Sequence, residues 1–257
     1  SLVDSKNHVV ITTPVNSDGS YQFTNVANGS YQLILSINPF GSTNPYLPAG
    51  WTNTADGLTD SGDELNNGKI SILIGEGVSN ANFGINRIPV ANNVSGSYTN
   101  PGGTNTVQVP ELNGQDGEDG TINSGESLII TTLPTNARLF YNRVQVTAEQ
   151  LISNYDPAQL TLDPNDGPIT VSFTYQVVDA AGEKSAPAVA SITIKNDIPV
   201  AVDNTVDING GQPLTGSVAP NDVLSKDGGN TWTLKFGTTH GKIVLKTALW
   251  DQGSPYN

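Results

Sequence analysis

Apolar and polar residues alternate one by one along several stretches of this chain, and no other feature constrains its fold as much. In residues 169–177, Ile, Val, Phe, Tyr and Val alternate with Thr, Ser, Thr and Gln. In residues 188–194, Ala, Ala, Ile and Ile recur at every second position. A period of two residues is that of a β-strand with one buried and one solvated face. These stretches therefore predict an all-β protein whose sheets each turn one face to a core.

Shorter alternating stretches in the first third of the chain follow residues that are typical of hairpin turns. Alternation at 31–35 and at 70–74 comes directly after an Asn-Gly pair. Such pairs, and Asp-Gly pairs, tolerate the positive φ that tight hairpin turns need. The Asp-Gly pair at 18–19 predicts in the same way a strand over 21–23. The one helical pattern, at 146–153, predicts one or two helical turns.

Charge and composition exclude several classes of function. The 257 residues include 24 acidic and 11 basic side chains, for a net charge of −13, and neither Cys nor Met. Without Cys there can be no disulfide, no thiol catalyst and no Cys-ligated metal. A pI near 4.2 and the lack of a basic stripe argue against a nucleic-acid partner. No apolar run approaches the roughly 20 residues of a membrane-spanning helix, so we expect no membrane insertion.

A short motif repeats at the spacing of a small β-domain. Ile88-Pro89-Val90-Ala91 recurs as Ile198-Pro199-Val200-Ala201, 110 residues later, and an immunoglobulin-type sandwich has about 100 residues. Proline restricts the residue before it to extended backbone, as expected where one β-domain follows another. We therefore predict domains at 1–87, 88–197 and 198–257. Because no long Gly/Ser-rich or Pro-rich linker separates them, we expect the domains to stand end to end.

The predicted first domain resembles the B-type, prealbumin-like modules of bacterial surface adhesins. The motifs that carry this resemblance are GSYQFTNVANGSYQL (19–33), LPAGW (47–51), NGKISILIG (67–75) and NANFGINR (80–87). The opening strand of such a module would precede Ser1 or lie in residues that do not match its pattern, so the resemblance implies a sandwich that is incomplete at its N-terminal side.

The other two segments resemble further adhesin modules. DGEDGTINSGESLIITTLP (116–134) and FTYQVVDAAG (173–182) are similar to immunoglobulin-like repeats of very large Bacteroidota adhesins. AVDNTVDINGGQPLTGSVAPNDVLSKDGG (201–229) and HGKIVL (240–245) are similar to a cadherin-like repeat that stops before its closing strands. Together these resemblances imply tandem β-sandwich domains, namely prealbumin-like, immunoglobulin-like and cadherin-like.

The resemblance implies a fragment of a large, type IX-secreted repeat adhesin of the gliding-motility (SprB-like) kind. The expected role is that of a structural stalk, extracellular and on the cell surface, which spaces a binding region and carries load. Its expected partners are neighbouring modules of the same long chain, the secretion or motility machinery, and surface or glycan ligands elsewhere on the parent protein. The alternative is a carbohydrate-binding accessory segment of a secreted polysaccharide-degrading enzyme.

We find no catalytic motif in this sequence. The two histidines, His8 and His240, lie in Thr-rich or Gly-flanked contexts without a nucleophile elbow. The acidic residues cluster in Gly-rich turns, whereas glycosidases set a pair of carboxylates across a cleft. No Gly-rich phosphate-binding motif is present. We therefore expect no catalytic residue.

Two acidic, Gly-containing loops are candidate calcium sites. Asp116, Glu118 and Asp119 form the first, and Asp163 and Asp166 belong to the second. Calcium takes six to eight oxygen ligands, and several carboxylates on one tight loop supply that chemistry. The alternative is that Asp and Gly occur here because hairpin turns favour them.

Residues 38–67 form a long polar stretch without an alternating pattern, and we predict a loop there. Tyr46 and Trp51 lie in this stretch, and an exposed ring of either kind can stack on a sugar. The alternative is that Trp51 packs as a lid over the open end of a small sandwich. The stretch also carries an acidic group that we interpret as a solvated loop: Asp56, Asp60, Asp63 and Glu64.

Overall fold

The computed structural model describes residues 1–58, 66–75, 78, 80–207, 209–233 and 240–243. Their regular secondary structure consists of strands, apart from one short 3-10 turn at Pro157–Gln159. The strands are β1 (Leu2–Asp4), β2 (Val9–Ile11), β3 (Gly29–Ile34), β4 (Trp51–Leu58), β5 (Lys69–Ile74), β6 (Ala81–Arg87), β7 (Val90–Ala91), β8 (Val94–Thr99), β9 (Val107–Gln108), β10 (Gly114–Asp116), β11 (Gly120–Ile122), β12 (Ser127–Thr132), β13 (Ala137–Tyr141), β14 (Val144–Gln145), β15 (Gln150–Ile152), β16 (Leu160–Pro164), β17 (Ile169–Val178) and β18 (Ala188–Lys195).

The chain groups into two compact units, each built from more than one stretch of sequence. The first comprises Ser1–Ala91, Gly114–Ile122 and Val177–Ala186. The second comprises Asn92–Asn113, Asn123–Gln176 and Pro187–Asn257. The first unit thus contains the predicted first domain together with three short segments from the predicted second domain, namely 88–91, 114–122 and 177–186.

The first unit holds three small sheets. Their strand orders are β2-β1-β3-β5, β4-β6 and β11-β10-β7. The core of the four-stranded sheet consists of Leu2, Leu33, Ile70 and Ile72, which come from three neighbouring strands. Burial of each such side chain stabilises the folded state by roughly 1.5 to 3 kcal/mol. The alternation at 31–35 and 70–74 corresponds to the face of the sheet on which these side chains lie.

The second unit is a β-sandwich with a five-stranded and a four-stranded sheet. Their orders are β15-β12-β17-β18-β8 and β14-β13-β16-β9. Both sheets contribute large apolar side chains that are almost fully buried: Ile130, Phe173 and Ile192 from one sheet, and Leu139, Leu160 and Leu162 from the other. The predicted all-β class is therefore confirmed.

In the five-stranded sheet, the two strands that come first and last along the chain, β8 and β18, are neighbours and pair in parallel. β8 and β18 are in register over six residue pairs, from Val94 beside Ala190 to Thr99 beside Lys195. On its other side, β18 pairs antiparallel with β17. β18 is thus an interior strand held along both edges.

Three predictions about local structure are wrong. Residues 146–153 are not helical, because β15 occupies 150–152 and pairs with β12. Residues 21–23 belong to no strand, although Tyr21 and Phe23 are both partly buried. The polar stretch 38–67 is not a bare loop, since the eight-residue β4 lies within it and pairs with β6. Within the described ranges, no helix has the length and apolarity needed to cross a bilayer.

Candidate functional site

The hairpin of β10 and β11 carries three of the predicted calcium ligands in its turn, residues 116–120, which we call the first acidic turn. Asp116 is only 7% exposed. Its Oδ1 accepts hydrogen bonds from the backbone N–H groups of Glu118, at 2.7 Å, and Asp119, at 3.1 Å. Gly120 closes the turn with φ +86°, a backbone conformation that glycine adopts without strain. Asp116 therefore shapes the turn from inside.

The other two carboxylates of this turn bind backbone groups from different parts of the first unit. Glu118 Oε2 accepts the N–H of Arg87 at 2.9 Å. Asp119 Oδ2 accepts the N–H of Ala180 at 3.0 Å. Hydrogen bonds to a charged acceptor are stronger than neutral ones. The carboxylates of the first acidic turn therefore accept hydrogen bonds from main-chain N–H groups.

Asp179 is a further buried carboxylate beside these groups, and the sequence analysis missed it. It is 7% exposed. Its Oδ2 accepts from the side-chain amide of Asn86 at 2.7 Å, and its Oδ1 from the N–H of Glu183 at 2.8 Å. Its place directly after β17, at the start of a turn, is the only sequence signal it leaves.

Arg87 supplies the positive charge next to the first acidic turn. Its guanidinium lies 5.0 Å from the centre of the Trp51 ring, which is a cation–π contact. A Cβ atom added to Gly117 would lie 2.2 Å from an Nη atom of Arg87. Glycine at 117 therefore leaves the space in which the arginine side chain crosses the turn.

The second predicted calcium loop has a different electrostatic arrangement. Asp163 is buried, but its Oδ2 lies 2.7 Å from an Nη atom of Arg138. The two residues stand directly opposite each other on β16 and β13. Asp166 is exposed. Asp163 therefore forms an ion pair that links β16 to β13.

Comparison with protein-family models, with characterised proteins and with solved structures finds no match to this chain. The resemblance to adhesin modules therefore stays a prediction that rests on the motifs quoted above.

The calcium prediction at the first acidic turn is neither confirmed nor contradicted by these contacts. Asp116 Oδ2 is buried and has no hydrogen-bond partner in the described residues. However, no three Asp, Glu or His side chains among those residues lie close enough together to hold a metal ion. Calcium at Asp116, Glu118 and Asp119 stays a prediction.

The interpretation of the third acidic group as solvated is wrong for Asp56. This residue is buried on β4, and its Oδ2 accepts the N–H of Gly68 at 2.7 Å. It therefore ties β4 to the turn that precedes β5. Asp60, Asp63 and Glu64 lie outside the described residues.

The two aromatic candidates for sugar stacking lie in different settings. Trp51 is partly buried at the start of β4, and one face of its ring meets the guanidinium of Arg87. Tyr46 is 64% exposed, and its backbone pairs with Leu35 and Ile37. No described cavity has both rings in its lining. The sugar-binding alternative stays a prediction.

Proposed function

We propose that this chain is a load-bearing spacer segment of an extracellular repeat adhesin on the cell surface. The observation that carries the proposal is the parallel pairing of β8 with β18. In a parallel pair, the start of one strand and the end of the other lie at opposite ends of the ladder. Force applied through Val94 and Lys195 would therefore run along the strands and load their hydrogen bonds together, in shear.

Packing beneath this pair supports the same role. Ala190, Ile192 and Ile194 of β18 are all buried. β17 pairs with β18 over seven residue pairs. Sliding β8 along β18 would break the ladder while β18 itself remains fixed in the sheet and the core. Because the chain has no Cys, this resistance comes from hydrogen bonds and packing alone.

The composition suits a segment in a long surface chain. Its net charge of −13 opposes sideways association of exposed strand edges. The partners that belong to the proposal are neighbouring modules of the same chain and the secretion or motility machinery. Surface or glycan ligands would be bound elsewhere on the parent protein.

Single-molecule pulling from defined points tests the proposal. The native chain has no Cys, so pairs of introduced cysteines attach handles at chosen positions. Asn93→Cys with Asn196→Cys pulls β8 and β18 in shear. Asn93→Cys with Val189→Cys shares one attachment point and peels the same two strands apart from one end.

The expected result is a markedly higher unfolding force for the shear pair than for the peeling pair. The physical reason is that shear loads six residue pairs together, whereas peeling loads them in turn. Equal forces in the two directions would contradict the proposal, because the ladder would then not be the element that resists load.

A further inference from the structure

The repeated Ile-Pro-Val-Ala motif is held by a similar set of contacts at both of its occurrences. We call residues 88–91 and 198–201 the lead-in segments. At the first, the N–H of Arg87, which precedes the motif, donates to Glu118. Val90 pairs antiparallel with Gln115 of β10, directly before the first acidic turn. All of these residues belong to the first compact unit.

The second lead-in segment has matching contacts within the second unit. The N–H of Asp197 donates to Asp227 Oδ2 at 3.2 Å. Val200 and Val223 exchange two backbone hydrogen bonds, at 2.8 and 2.9 Å, and form an antiparallel bridge. Asp227 belongs to the loop 225–229, SKDGG, which we call the second acidic turn.

The spacing of the contacts repeats along with the motif to within one or two positions, since Val90 and Gln115 are 25 positions apart and Val200 and Val223 are 23. The donor and acceptor residues are 31 positions apart at the first lead-in segment and 30 at the second. The donors, Arg87 and Asp197, carry opposite charges, yet each offers its main-chain N–H. The main-chain N–H is thus the contact that the two lead-in segments share, whereas each donor's side chain meets its turn differently: Arg87 crosses it at Gly117, and Asp197 accepts the N–H of Lys226.

Proline fixes the backbone shape of both lead-in segments. Pro89 and Pro199 have no N–H, and each restricts the preceding isoleucine to extended backbone. The segment is thus already shaped for strand pairing and loses little conformational entropy on docking. A carboxylate that binds the N–H two residues before proline adds a charge-assisted hydrogen bond.

We propose that each acidic turn is a binding site for the lead-in segment located about 30 residues before it. The occupant is an extended X-Ile-Pro-Val-Ala stretch, in which X donates its backbone N–H and its side chain lies against position 117 or 226 of the turn. The carboxylate takes that N–H, and the backbone just before the turn pairs with Val. This site is separate from the β8–β18 ladder, so it does not rest on the spacer proposal.

The two turns achieve this binding with different supporting residues. Two residues before the carboxylate, the first turn has Asp116 and the second has Ser225, whose hydroxyl donates to Asp227. One residue before it, the first turn has Gly117 and the second has Lys226, whose N–H donates back to Asp197 Oδ2 at 2.8 Å. What the two turns share is the carboxylate at Glu118 or Asp227, which marks it as the functional group of the site.

Hydrogen exchange of single backbone amides in the full chain tests the proposal. In Glu118→Ala, exchange of the Arg87 amide should rise by about tenfold or more, because a hydrogen bond to a charged acceptor is lost. Exchange of the Asp197 amide should not change. In Asp227→Ala, hydrogen exchange of the Asp197 amide should rise and that of the Arg87 amide should not change. Each variant is therefore the control for the other.

Conservative variants keep the test informative if an alanine variant fails to fold. Glu118→Gln retains an uncharged acceptor, so a smaller rise is expected, again confined to the Arg87 amide. A rise at both amides in a single-site variant would overturn the proposal, since it would indicate general loosening. Unchanged exchange at Arg87 in Glu118→Ala would overturn it as well.

Discussion

Asp116 and Ser225 each lie two residues before the carboxylate that binds a lead-in segment, and they differ in that Asp116 is a buried carboxylate. Ser225 donates its hydroxyl proton to Asp227. An ionised Asp116 has no proton to donate, and its Oδ2 has no partner among the described residues. A buried, unpartnered carboxylate oxygen is unfavourable. A bound cation would relieve this deficit, which gives the calcium prediction a single-residue test.

Calcium should raise the melting temperature of the native chain, and a chelator should reverse the shift. At a free concentration about 100 times Kd, a bound ion stabilises the folded state by about 2.7 kcal/mol. Asp116→Ser, which copies the second turn, should abolish the shift. Asp166→Ser removes an exposed carboxylate from the other loop and should leave it intact. A melting temperature of the native chain that does not change with calcium would refute the prediction.

Tyr155 makes stability sensitive to alkaline pH. Burial raises the pKa of Tyr155 to about 12, although the N–H of Leu112, 3.3 Å from its hydroxyl oxygen, lowers it. The folded state therefore disfavours the phenolate. The resulting stability is present below the pKa of the unfolded chain, about 10, and is lost as pH rises from there towards 12.

Tyr155→Phe should therefore flatten the alkaline loss of stability. Between pH 9 and 12 the native chain should lose up to roughly 2 to 3 kcal/mol more than the variant. Urea unfolding at a series of pH values measures this difference. Tyr46→Phe, at an exposed position, should behave as the native chain does. Parallel curves for the native chain and Tyr155→Phe would contradict the assignment.

At the scale of elements, the pair of β13 and β16 contains one charged contact that burial makes important. Asp163 has a side chain that is 5% exposed, whereas Arg138 is 58% exposed. Arg138→Ala leaves the carboxylate buried without its ion-pair partner, and should lower the free energy of unfolding by about 1 to 3 kcal/mol. Urea unfolding provides the measurement.

The matched control for this pair is another arginine close by on the same sheet. Arg143 is exposed in the turn between β13 and β14, so Arg143→Ala should change stability by less than about 0.5 kcal/mol. A double variant of Arg138 and Asp163 should recover part of the loss. Equal effects of Arg138→Ala and Arg143→Ala would show that the ion pair contributes nothing.

Strands whose two faces differ strongly in polarity were predictable, and others were not. The alternation at 169–177 and 188–194 corresponds to β17 and β18, and their apolar faces are buried as predicted. β4 escaped prediction because its residues are mostly polar and its ladder with β6 contains a bulge. The helical pattern at 146–153 failed because pairing of β15 with β12 outweighed local propensity.

The candidate site was predictable only where its residues are adjacent in sequence. Asp116, Glu118 and Asp119 share one turn, so their spacing alone brought them together. Asp179 and Asn86 are 93 residues apart and meet only through the fold. The pairing of Glu118 with Arg87 likewise involves a main-chain N–H, which leaves no mark in the side-chain pattern.

At the scale of the whole molecule, the excess of acids over bases governs association. The sequence pI is about 4.2, so repulsion between chains is strong at neutral pH and vanishes near pH 4. Light scattering should therefore show self-association that is greatest near pH 4.2 and reverses at pH 7. Equal scattering at both pH values would indicate that charge does not keep the strand edges apart.

Capture of a main-chain N–H has an evolutionary consequence. Arginine stands before one lead-in segment and aspartate before the other, and in both cases the carboxylate binds the main chain. Genetic exchange at such a seam would need to match only the residue directly before Ile-Pro to the turn that receives it, as Arg87 matches Gly117 and Asp197 matches Lys226. Long arrays could then be lengthened or reshuffled, because each repeat carries both its lead-in segment and the acidic turn that binds it.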